Sequence, residues 1–116
     1  LGLPGDASPA SRFVRAAFYK QNAVFPDERA GQIVQFFHLL DAVAMVRGGV
    51  LTPEGRWDET IYSCCLDVQG PPVYYYKTYE SGCIHAVAFT EEAAAGRELV
   101  CHKPLTDAGF TEHTLG

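Results

Sequence analysis

No apolar run in this chain is long enough to cross a bilayer. The longest are interrupted by His38, Asp41 and Arg47, whereas a membrane helix needs about 20 mostly apolar residues in a row. The chain starts at Leu1 with neither a basic stretch nor an apolar leader segment, so no secretory signal is expected. Positive charge is scarce: nine lysines and arginines stand against fourteen aspartates and glutamates, a net charge of −5. Such a chain has no general attraction for a phosphate backbone, which argues against nucleic-acid binding. Cysteine is also sparse. Cys64 and Cys65 are adjacent and would point to opposite faces of a strand, so they cannot readily share a bridge or a metal. Together with Cys83 and Cys101 they read as reduced, buried thiols acting as small hydrophobes, which suits a reducing compartment.

Several chemical signatures are missing too. His38, His85, His102 and His113 form no HxxxH pair, and no CxxC is present, so no metal is expected. His38 reads as a helix histidine with a local partner, the others as half-exposed strand or tail residues. There is no GxSxG elbow, no Walker A loop and no dinucleotide fingerprint. No cofactor is implied. What is present is a composition of 47% hydrophobic, 12% aromatic and 20% charged residues in 116. That is the make-up of one ordinary soluble globular domain and argues against disorder.

The chain opens with a glycine–proline turn, residues 1–7. Ser8-Pro9 then starts a helix expected over about residues 9–21, with Phe13, Val14, Ala17 and Phe18 as an apolar stripe and Arg12, Arg15 and Tyr19 on the other side. A second helix is expected from Asp27 or Glu28 to about Met45, burying Ile33, Phe36, Phe37, Leu40, Val43 and Ala44, and ended by Gly48-Gly49. Residues 51–58 read as a loop. Strands are expected at 60–68, 73–79 and 83–89, separated by Gly70-Pro71-Pro72 and Ser81-Gly82, with a short fourth at 98–102. Helices first and strands after make the fold class α+β, with an antiparallel meander of three to four strands. The strands are bulky on both faces, so the sheet wants cover on both. Two helices can cover one face; something outside the chain is expected over the other.

Charge is unevenly placed. The first twenty residues carry Arg12, Arg15 and Lys20 against Asp6 alone, while all thirteen other acids lie beyond them. A helix start offers free amides and partial positive charge, and an arginine in its first turn adds a fixed cation. Such a site could hold an anion, a thiolate or a developing oxyanion. Taken alone, however, Arg12 and Arg15 read as ordinary surface arginines, solvated or paired with Asp6.

The string Gly2-Leu3-Pro4-Gly5-Asp6, followed by Ser8-Pro9-Ala10-Ser11-Arg12-Phe13-Val14-Arg15, resembles a block of the choloylglycine hydrolases, the bile salt hydrolases and their penicillin V acylase relatives. The stretch from Phe36-Phe37-His38-Leu39-Leu40 to Val43-Ala44-Met45-Val46-Arg47-Gly48 is similar to a helix of the same family. The strands containing Thr60-Ile61-Tyr62-Ser63-Cys64-Cys65 and Tyr74-Tyr75-Tyr76-Lys77-Thr78-Tyr79-Glu80 resemble the two that follow it. The resemblance runs to about Leu99 and is closer to the bile salt branch.

The resemblance implies an N-terminal-nucleophile hydrolase with an αββα sandwich, of which residues 1–116 are the C-terminal portion of one domain. In that family the nucleophile is an N-terminal cysteine whose own α-amine acts as base. Leu1 cannot play that part, so the chain by itself is expected to be inactive. One catalytic position carries over: Arg12, matching the family's active-site arginine, would lower the cysteine pKa and steady the tetrahedral intermediate. Arg15 matches an arginine with no assigned catalytic role. Ser8 and Ser11 read as capping residues, and the Gly2–Asp6 turn as the border of the pocket. The implied substrate is a glycine- or taurine-conjugated bile salt. The implied partner is the missing N-terminal part of the same fold. Also implied are a homotetramer, a bacterial cytoplasm and no cofactor. The alternatives are a penicillin V acylase, a non-catalytic truncated chain that binds a complementary subunit, and a small anion sensor at the Ser8–Arg12 helix start.

Overall fold

The computed structural model describes residues 2–116. They form two compact units, divided in sequence between Thr60 and Ile61, and the fold is α+β. No helix among the described residues is long and apolar enough to cross a membrane.

The first unit begins with helix α1, Pro9–Asn22. Ser8 is extended and its side chain accepts the Ser11 amide at 3.3 Å, with Pro9 where no amide is needed. The apolar stripe of α1 is turned outward. Phe13 is 74% exposed, and Val14 and Phe18 are also exposed, while Ser11 is the buried residue of the helix. The side that faces inward carries the arginines, whose acceptors lie at the far end of the next helix.

That helix, α2, spans Arg29–Asp41. Gly31 lies against Pro26 in its first turn: a Cβ there would come within 2.6 Å of Pro26 Cγ, so the approach needs glycine. The helix stops short of Met45, where the apolar pattern would carry it. Past Asp41 the backbone tightens, Val43 donating to the Leu40 carbonyl at 3.1 Å and Ala44 to that of Asp41 at 3.2 Å, and Thr60 then accepts the Met45 amide on Oγ1 at 2.8 Å and donates its own amide to the Met45 carbonyl at 3.0 Å. Both backbone groups of Met45 are thereby withdrawn from a helical ladder. Phe37, 2% exposed, is the buried aromatic of this unit.

The stretch read as a loop holds a small hairpin. Strands β1, Val50–Leu51, and β2, Trp57–Asp58, pair antiparallel, Val50 with Asp58 and Leu51 with Trp57. Thr52 donates to the Arg56 carbonyl at 2.7 Å and Gly55 to that of Thr52 at 2.9 Å, with Gly55 at φ 82°. This is a glycine-containing hairpin loop, which the expectation of a plain loop missed.

The second unit is a three-stranded antiparallel meander of β3, Tyr62–Asp67, β4, Val73–Thr78, and β5, His85–Ala88. The register sets Cys64 opposite Tyr76 and Tyr76 opposite His85. One face therefore carries Tyr62, Cys64, Leu66, Tyr74, Tyr76, Thr78, His85 and Val87. Tyr76 and Thr78 are the buried members of β4. A short helix, α3, Glu91–Ala95, follows in the segment read as merely small and polar. It is capped by Thr90, which accepts the Ala93 amide at 3.0 Å.

The expected strand at 98–102 does not form. In place of a backbone ladder, side chains of β4 hold the segment's last residue and the stretch after it: Tyr76 Oη lies 3.2 Å from His102 Nε2 and accepts the Leu105 amide at 3.1 Å. Thr78 Oγ1 donates to the Leu105 carbonyl at 2.9 Å. The cysteines also depart from expectation. All four are free thiols, but Cys64, Cys83 and Cys101 are exposed and only Cys65 is half-buried. Cys64 sits on β3, at the sheet edge, beside the exposed Tyr62 and Leu66, so burial of its face does not reach it. Adjacent Cys64 and Cys65 do point to opposite faces, as the strand period requires.

Candidate functional site

The polar cluster of the first unit is built where α1 begins. Asp6 Oδ1 accepts from the Ser8 amide at 2.9 Å and from Ser8 Oγ at 2.5 Å. Ser8 Oγ in turn accepts the Ser11 amide. Ser8 is thus the cap. Ser11 contributes its amide to that cap and its hydroxyl to Asp6. These hydrogen bonds, with Arg15 nearby, lower the Asp6 carboxyl from 3.8 to about 2. A depressed carboxyl pKa supports the folded turn above its ordinary value and loses that support as pH falls toward the folded value. Carboxyl NMR titration of the folded protein is therefore expected to place the Asp6 midpoint near 2, and Ser8→Ala to move it back toward the usual aspartate range. A midpoint unmoved by Ser8→Ala would show that the hydroxyl does not hold the carboxylate. The helix start is capped from within by Asp6 and Ser8, which leaves little there to recruit a free anion.

Arg12 is half-buried in the first turns of α1, and its Nε donates to the Val43 carbonyl at 2.9 Å. Among the described residues its two terminal nitrogens meet no acceptor. Arg15, one turn on, has its Nε on the Ala42 carbonyl at 3.2 Å and its Nη1 on the carbonyls of Pro4 at 3.0 Å and Asp6 at 2.7 Å. Its tie to Asp6 is through the backbone, not the carboxylate that composition alone would pair with it. Both arginines end on carbonyls just past α2, which have no partner within that helix. The sequence reading missed this clamp, although the spacing of three between Arg12 and Arg15 on one helix side was visible.

The second unit has groups of its own. Ser81 Oγ lies 2.9 Å from His85 Nε2, and His85 packs on Tyr76 with ring centres 5.1 Å apart. Burial, with Asp67 and Cys64 nearby, raises the Cys65 thiol above its ordinary value, the opposite of what a nucleophile needs. The Tyr74 phenol, hydrogen-bonded to Cys64, is pushed up to about 12. A cavity of about 710 Å³ lies over the Tyr76 face, bounded chiefly by Tyr62, Tyr74, Val87, Leu99 and Pro104. Its walls are mainly aromatic and aliphatic, and Tyr76 and His102 on its lining are already engaged with each other. It offers volume and no activated group.

Known proteins resemble the chain across both units. The sequence profile of the linear amide C–N hydrolases, choloylglycine hydrolase family, matches residues 1–102. A bile salt hydrolase/transferase of Lactiplantibacillus plantarum is 40% identical over 110 residues, covering 95% of this chain and 34% of the relative. The corresponding protein of Clostridium perfringens is 41% identical over 103 residues, covering 89% of this chain and 31% of the relative. The chain thus spans about a third of the length of the curated relatives it matches. A crystal structure of a conjugated bile acid hydrolase variant from Clostridium perfringens superposes with a TM-score of 0.79 at 37% identity, over 97% of this chain and 34% of that one. A penicillin V acylase from Agrobacterium tumefaciens gives a TM-score of 0.62 at 23% identity, covering 78% and 28%, a likeness of fold alone. The chain belongs to the choloylglycine hydrolase family of linear amide C–N hydrolases.

Proposed function

We propose that this chain is the C-terminal segment of a bacterial amidase that cleaves the amide bond between a bile acid and glycine or taurine. The observation that carries the reading is the 40% identity to a bile salt hydrolase/transferase across 95% of the chain. The reaction is acyl transfer: a cysteine thiolate supplied by the rest of the protein attacks the amide carbonyl carbon, the amino acid leaves, and water then releases the bile acid from the thioester. The chain contributes Arg12. Its Nε is held by the Val43 carbonyl, so one edge of the guanidinium is anchored while the terminal nitrogens stay available for an anionic partner. A cation held in this way favours the thiolate over the thiol and stabilises charge on the tetrahedral intermediate. Assayed alone, the chain is expected to be inactive. The same reading places the enzyme in the cytoplasm, as a homotetramer.

The test is Arg12→Ala in the complete enzyme. Hydrolysis of glycocholate is expected to slow by about 10²–10³-fold, the usual loss when one charge-stabilising donor is removed, with the circular dichroism unchanged. A wild-type rate in the folded variant would remove Arg12 from the reaction. Penicillin V offered to the same enzyme is expected to be the poorer substrate, because the acylase likeness is weaker than that to the bile acid hydrolase.

A further inference from the structure

We infer that Arg15 is a positioning residue for Arg12, fixing the carbonyl on which the Arg12 guanidinium is anchored. The inference rests on the catalytic reading of Arg12 given above. The two arginines are three residues apart on α1 and so lie on one side of the helix. Their Nε atoms take consecutive carbonyls, Val43 by Arg12 and Ala42 by Arg15. The peptide plane that carries the Ala42 carbonyl extends to the Val43 Cα, so fixing it leaves only φ and ψ of Val43 between the two carbonyls.

Arg15 does more than occupy Ala42. Its Nη1 takes the carbonyls of Pro4 and Asp6, so one guanidinium ties the Gly2–Asp6 turn, α1 and the end of α2 together. Different nitrogens of a rigid fork reach acceptors on different segments. A lysine ammonium is one point on a flexible stem and cannot hold both segments in the same way. The division of labour follows from the contacts. Arg15 spends Nε and Nη1 on the backbone, whereas Arg12 spends only Nε and keeps its terminal nitrogens for a ligand.

The experiment is a double-mutant cycle in the complete enzyme, read as steady-state glycocholate hydrolysis. Arg15→Ala and Arg15→Lys are each expected to lower kcat by about ten- to a hundredfold, the scale of a misplaced catalytic group, with KM little changed. In an Arg12→Ala background the same Arg15 substitutions are expected to leave kcat where Arg12→Ala alone puts it, because the group they position is gone. An Arg15 substitution that costs the same factor in both backgrounds, or that raises KM instead of lowering kcat, overturns the positioning role while the catalytic reading of Arg12 stands. A wild-type rate for Arg12→Ala overturns that catalytic reading, and the inference falls with it. Should Arg15→Ala fail to fold, Arg15→Lys carries the same comparison.

Discussion

Expressed by itself, this chain is expected to unfold without a cooperative transition, to bind a hydrophobic dye strongly and to elute from size exclusion as a broad, associating species. The argument is one of surface. Two compact units of half of 12.7 kDa each would expose about 7,500 Å² between them. The described residues expose 9363 Å². Among the described residues only two large hydrophobic side chains, Phe37 and Tyr76, are buried, while Phe13, Val24, Ile61 and Phe110 are among many apolar ones left open. Burial on that scale cannot offset the conformational entropy of ordering a chain of this length. Exposed apolar surface and the open strand edge of β3 then invite association. Co-expression with the remainder of a family-length protein is expected to abolish dye binding. A monodisperse 12.7 kDa species with a sharp calorimetric transition would overturn this expectation.

The elements whose signals are local were legible. Ser8-Pro9 gave the start of α1, and alternation with turn residues gave three strands in their observed order. What escaped depends on partners distant in sequence. Met45 is kept out of α2 by Thr60, fifteen residues on, which takes both of its backbone groups. The segment at 98–102 has the composition of a strand, but Tyr76 meets its last residue, His102, through its side chain, Thr78 holds Leu105 beyond it, and no backbone pairing follows. Cysteine type speaks for an average interior, whereas Cys64 lies on β3 at a sheet edge and Cys83 and Cys101 lie outside the strands. The hairpin of β1 and β2 is a different case, since Gly55 in a short polar loop was a usable signal.

The candidate site was half legible. Arg12 and Arg15 both read as surface arginines and both match the same family block, and only the role implied by the resemblance set Arg12 apart. The three carbonyl acceptors of Arg15 lie at positions 4, 6 and 42, and carbonyls leave no trace in a sequence because every residue has one. The Asp6–Ser8–Ser11 turn is local and was read as capping, but the depressed Asp6 carboxyl emerges only once both serines are seen to bond it.

In the complete protein, Phe37→Ala and Phe13→Ala are expected to destabilise by similar amounts, about 3–5 kcal/mol each, although one side chain is 2% and the other 74% exposed in this chain. Phe37 needs no further partner: it is already enclosed, and its removal leaves a cavity. Phe13 belongs to a stripe with Val14 and Phe18 that its own unit leaves exposed, Phe13 most of all. A helix that turns its arginines inward and its aromatics outward is patterned for a neighbour on the aromatic side. Residues from the remainder of the protein are the expected cover, as the double-sided bulk of the strands also requires. Chemical denaturation of the two variants measures this directly. A cost for Phe13→Ala within about 0.5 kcal/mol of zero, the range of ordinary surface substitutions, would mean that the stripe stays open to solvent in the complete protein. Equal costs would mean that this chain has only half of its core within itself and takes the rest from the segment that completes the sandwich.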